Sequence, residues 1–187
     1  MNRRYFQKFQ IKDVVFLAIM SAVALATCAV MPLVISLQPL IFGISQLVTA
    51  LQIGVFFAIG LYKVRKPGSL LIMALMMGLI QLMMSPPMFL SSVLNGVLIE
   101  LIVLLLFRGY EKDAAVFCAA MLHTPLSLPF NYLYNRLIKG ADSPLAAVAD
   151  RAPLAAVGMT LAVVAVSALG ALIGIKIARE LKKSGVL

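Results

Sequence analysis

Tryptophan is absent from the 187 residues, histidine occurs once, cysteine twice, and aspartate plus glutamate only seven times. Each shortage closes a class. One histidine excludes any site that needs two, and neither HExxH nor GxSxG occurs. Without GxxxxGK[ST] there is no P-loop for ATP. Cys28 and Cys118 lie in apolar runs without CxxC spacing, so they read as small hydrophobes rather than a disulfide or metal site. The expectation is a protein that is not an enzyme and carries no cofactor or metal.

Charge is scarce as well. Only 12% of residues are charged and 63% are hydrophobic, against about a quarter and about a half in a soluble domain. With a mean hydropathy of +1.04, the chain departs from soluble composition in the direction a bilayer demands. The net charge of +9 is not a nucleic-acid signature. Its cations sit in short links between apolar runs, where they set orientation and meet lipid headgroups.

Crossing a hydrocarbon core takes about 20 apolar residues. Runs at 13–36, 40–62, 69–84, 88–107, 114–137 and 153–177 predict an all-α membrane protein, a six-transmembrane-helix bundle forming one membrane domain. The third run is short, and Ser85-Pro86-Pro87 stops it. Thirteen of the 16 cations fall on one side of this arrangement. They are Arg3, Arg4, Lys8 and Lys12, then Lys63, Arg65 and Lys66, then Arg108 and Lys112, and finally Lys176, Arg179, Lys182 and Lys183. Arg136, Lys139 and Arg151 fall on the other side. The positive-inside rule puts both termini in the cytoplasm. The Arg3-Arg4 stretch and Leu25-Ala26-Thr27-Cys28 resemble an export signal and a lipoprotein box, but an uncleaved first helix with a basic flank is the expectation. In the last outer loop, 138–152, Asp142-Ser143-Pro144 predicts the start of a short helix over 145–149.

Polar residues inside the runs carry the functional signal, because each costs free energy unless paired. Ser45, Thr49 and Gln52 share a face of the second run, and Ser91 and Asn95 one of the fourth. In the fifth, His123, Ser127, Asn131 and Tyr134 line one side, with Thr124 and Asn135 at its edge. Pro125 and Pro129 free backbone carbonyls there. Three stripes imply a shared polar interior, serving either a ligand or helix-to-helix hydrogen bonding. Glu100 and His123 lie at about 12 and 15 Å depth by helix rise, which allows a buried polar pair. Met73, Met76, Met77 and Met84 recur at helical spacing and read as flexible packing. Ala18, Ala22 and Ala26 give the first helix a smooth face, and Gly170 and Gly174 do the same in the last.

Ala18-Ile19-Met20-Ser21-Ala22, its continuation to Ala26, and the basic turn Lys63-Val64-Arg65-Lys66-Pro67-Gly68 give the whole chain a resemblance. It is similar to the substrate-binding S component of an energy-coupling-factor (ECF) transporter of the ABC class. The resemblance implies a multi-pass protein of the bacterial cytoplasmic membrane that binds a small micronutrient, such as a vitamin or its precursor, near its outer face. It implies docking through Ala18, Ala22 and Ala26 on a membrane T component driven by two cytoplasmic ATPase subunits. By position, the implied substrate-binding residues are Gln38, Met88, Ser91, Asn95, Ser127, Asn131, Tyr134 and Asn135, with His123 on the same stripe. Without tryptophan, stacking on a vitamin ring would fall to tyrosine or phenylalanine. Alternatives are an S component for haem, another tetrapyrrole or a metal chelate, held by His123 or methionines, and a membrane scaffold or assembly subunit without a ligand.

Overall fold

The computed structural model describes residues 8–28, 34, 36–37, 40–83, 85–140 and 143–185. Among them are seven helices and no strand. They are α1 (Ile11–Thr27), α2 (Ile44–Lys63), α3 (Ser69–Leu82), α4 (Pro86–Phe107), α5 (Asp113–Leu137), α6 (Pro144–Arg151) and α7 (Pro153–Lys183). The expected positions Gln38, Met84 and Asp142 lie outside the described residues.

Three helices, α2, α4 and α7, are long and apolar enough to cross a membrane. The others fall short for different reasons. The 14 residues of α3 rise only about 21 Å. The 17 of α1 rise about 25 Å. α5 has the length, 25 residues, but spends its apolarity on the polar stripe.

The first helix is shorter than the expected run 13–36, most of whose remainder lies outside the described residues. It stops at Thr27, where the Cys28 N–H turns back to the Leu25 carbonyl at 2.9 Å. α7 instead runs past 177 to Lys183, because Lys176 to Lys183 are mostly good helix formers and Lys183 pairs with Glu180 at 2.8 Å.

α2 is the axis of the bundle, packing on α1, α5 and most extensively α7. Glycine makes the α2–α7 approach possible. A Cβ on Gly170 would come 2.5 Å from the Leu51 carbonyl oxygen, and one on Gly174 2.4 Å from that of Val55. In an apolar solvent, such close van der Waals packing supplies the association that water would otherwise drive. On the other side α3 packs on α4, where Gly96 clears Ala74, and the Ser92 hydroxyl donates to the Ala74 carbonyl at 2.9 Å. Ser21 of α1 donates to the Met73 carbonyl of α3 at 3.2 Å.

The main core, with Leu17, Phe57, Leu61, Leu70, Met73, Val103, Tyr110 and Val116, sits toward the end that carries the 64–68 turn, called here the basic end. A smaller cluster of Ala50, Leu128 and Val163 holds the far half. At the basic end Lys66 donates to the Lys8 carbonyl and to Asp13, and Arg65 and Arg179 both donate to Asp113. The described chain therefore begins and closes at the same end of the bundle.

Candidate functional site

At the basic end the turn between α2 and α3 is tied on every side. Gly68 takes φ +93°, a left-handed conformation that glycine adopts without strain. The turn presents the free N–H groups that start α3. The Gly68 N–H donates to Glu100 Oε1 at 2.6 Å, and the Tyr110 hydroxyl donates to Glu100 Oε2 at 2.9 Å. Burial, with the Glu100 carboxylate beside it, pushes the Tyr110 hydroxyl well above its usual pKa, so it stays protonated and donates. Lys66 reaches Asp13 at 2.6 Å, while Asp113 is held by both Arg65 and Arg179 at 2.6 Å.

This geometry corrects the expected Glu100–His123 pair. Both are buried, but Glu100 spends its oxygens on Gly68 and Tyr110. The positive end of α3 is a better partner for a carboxylate than a neutral imidazole. His123 stacks on Phe57 instead, ring centroids 4.5 Å apart and planes tilted by 57°.

At mid-height the pattern reverses. Asn95 on α4 and His123 and Thr124 on α5 are 1%, 4% and 3% exposed. Asn95 Oδ1, both His123 ring nitrogens and Thr124 Oγ1 have no hydrogen-bond partner among the described residues. By helix rise from the basic end, Asn95 stands at about 18 Å, His123 at about 15 Å and Thr124 at about 16 Å, all within one turn of each other. α4 and α5 pack together. Gln52 Oε1 is also buried and unpaired, but it is rotated about 140° from Phe57 on α2, off the face that meets His123.

The far half of the α5 stripe is largely used for structure. Ser127 donates to the Thr124 carbonyl at 2.7 Å within its own helix. Asn135 donates to the Asn131 carbonyl at 2.8 Å and accepts from Ser143 at 3.0 Å, holding the approach to α6. Asp150 of α6 accepts from Tyr132 at 2.8 Å and pairs with Arg136. The Lys139 ammonium stands 5.8 Å from the Tyr134 ring centre. Asn131, Ser91 and Met88 remain half-buried, and the Asn131 amide makes no side-chain hydrogen bond among the described residues.

Sequence reasoning missed Tyr110, Phe57 and Ser167. The last had a readable signal: Pro125 cannot donate to the carbonyl four residues back, Met121, and the Ser167 hydroxyl of α7 donates there instead at 2.7 Å. Among the described residues no three His, Cys, Asp or Glu gather to hold a metal ion. On α1, Leu17, Ser21 and Ala24 are buried, whereas Ala18 is half-buried and Ala22 and Ala26 are exposed. The small-residue face points away from the bundle.

Residues 11–183 match the model of a family described as a hypothetical bacterial integral membrane protein (Trep_Strep). No curated protein and no solved structure matches the chain.

Proposed function

We propose, from the premise that the chain belongs to that family of bacterial integral membrane proteins, that it is the substrate-binding S component of an ECF-type transporter taking up a small micronutrient. The observation that carries this reading is the mid-height group, where Asn95 Oδ1, both His123 ring nitrogens and Thr124 Oγ1 are buried and unpaired among the described residues. In hydrocarbon surroundings such groups cost free energy that only a partner offsets. A ligand bound inside the bundle is that partner.

In this reading the chain crosses the bacterial cytoplasmic membrane six times, with the basic end and both termini in the cytoplasm. α5 crosses despite its polarity because its polar face is turned inward. The exposed Ala22 and Ala26 of α1 are the docking face for a membrane T component, which two ATPase subunits drive. A smooth alanine face suits the close approach of a partner helix.

A scaffold without a ligand is the second reading. It is favoured by Ser21, Ser92 and Ser167, each of which donates to a carbonyl on a neighbouring helix. Native mass spectrometry of gently purified protein separates the two. The transporter reading expects one small molecule per chain, released on unfolding. Bare protein mass, together with no uptake when the chain is reconstituted with a T component and ATPases, would contradict it.

A further inference from the structure

The atoms left unpaired at mid-height describe what they would bind. Asn95 Oδ1 only accepts hydrogen bonds, a neutral His123 offers one N–H and one lone pair, and the Thr124 hydroxyl can give or accept. A partner for all of them must carry both donors and acceptors.

Charge is constrained more tightly. Glu100 is the only buried charged side chain among the described residues, and its oxygens are already taken by Gly68 and Tyr110. A ligand bringing a carboxylate, phosphate or ammonium to this depth would lose its hydration without meeting a counter-charge. Phe57 against His123 adds an aromatic surface, to which a flat ring can present its face or edge.

We propose that Asn95, His123 and Thr124 bind an uncharged, planar ligand carrying hydrogen-bond donors and acceptors, at mid-height of the bundle rather than at its far mouth. The proposal rests on the uptake reading above and narrows its substrate class. It also shifts the site inward along the α5 stripe, because Ser127 and Asn135 already spend their hydrogen bonds on the protein itself.

The test uses the full chain in lipid nanodiscs at pH 7.5 and three pairs of probes, each a neutral planar compound and its carboxylate counterpart. The pairs are uracil and orotate, nicotinamide and nicotinate, and benzimidazole and benzimidazole-5-carboxylate. Binding to the folded state alone raises the melting temperature. At least one neutral probe is expected to do so while its carboxylate does not, and Asn95→Leu and His123→Phe should each weaken that binding at least tenfold. Two variants on different helices guard against one failing to fold. Carboxylates binding as well as the neutral probes would overturn the charge argument and leave the uptake reading standing. No probe binding to a chain that nonetheless co-purifies with a small molecule would overturn the planar neutral class alone. No probe binding and no co-purified molecule would overturn both. Binding unaffected by either variant would overturn the location.

Discussion

Two buried polar residues of α4 obey opposite rules. Near the basic end, Glu100 has a donor for each oxygen, and ion pairs tie α1 and α5 to the 64–68 turn and α7 to α5. Five residues away, Asn95 is also buried, and its carbonyl oxygen has no partner among the described residues. Both residues are expensive in an apolar interior, and only the first has its cost offset within the fold. Groups that complete one another belong to the architecture. Groups left incomplete are, in the proposed reading, where a ligand binds.

The sharpest way to break this contrast is at Glu100. Glu100→Leu leaves the Gly68 N–H and the Tyr110 hydroxyl buried without an acceptor. Each loss costs about 1–3 kcal/mol, so a destabilisation of about 3 kcal/mol is expected in denaturant titration. Glu100→Gln keeps an acceptor and should lose clearly less. Equally small losses for both would mean that the hydrogen bonds to Glu100 are not what holds the turn.

Asn131→Leu tests the far half. The half-buried amide makes no side-chain hydrogen bond, so the melting temperature should hardly move. If the bound molecule reaches up the α5 stripe, affinity falls at least tenfold, which is about 1.4 kcal/mol. If it stays at the level of His123, affinity is unchanged, and calorimetric titration distinguishes the two. Asp13→Asn, which breaks a partly exposed ion pair with Lys66, should cost less than about 1 kcal/mol. Ala22→Leu should cost no stability at all, since the side chain points away from the bundle. It should nevertheless abolish reconstituted uptake, and normal uptake would return the alanine face to ordinary composition.

Much of the helical layout was legible in the sequence, since apolar runs bounded by glycine, proline and charge mark helices directly. The expected starts at 69 and 153 and ends at 107 and 137 coincide with α3, α7, α4 and α5. The end of the first helix was not legible from hydropathy, because the turn of the Cys28 N–H back to the Leu25 carbonyl leaves no mark on apolarity. The site was legible only in part. Asn95 and His123 stand out as polar residues in apolar helices, and both are buried. The partner of Glu100 was not legible, because it is backbone: the Gly68 N–H comes within reach only once α3 packs on α4. For the same reason Asn135 looked available until Ser143, from the loop beyond α5, came back to occupy it.

The most direct test of the central claim, that the mid-height group is kept for binding at the expense of stability, is the thermal melt of ligand-free His123→Phe beside the native chain. Phenylalanine keeps a ring against Phe57 and removes two buried nitrogens that have no partner. An unpaired buried polar group costs about 1–3 kcal/mol, and 1 kcal/mol moves a melt by about 2–4 °C in a chain of this size. The account predicts a melting temperature raised by at least that much. A lowered melting temperature would contradict it, because His123 would then be holding the bundle together.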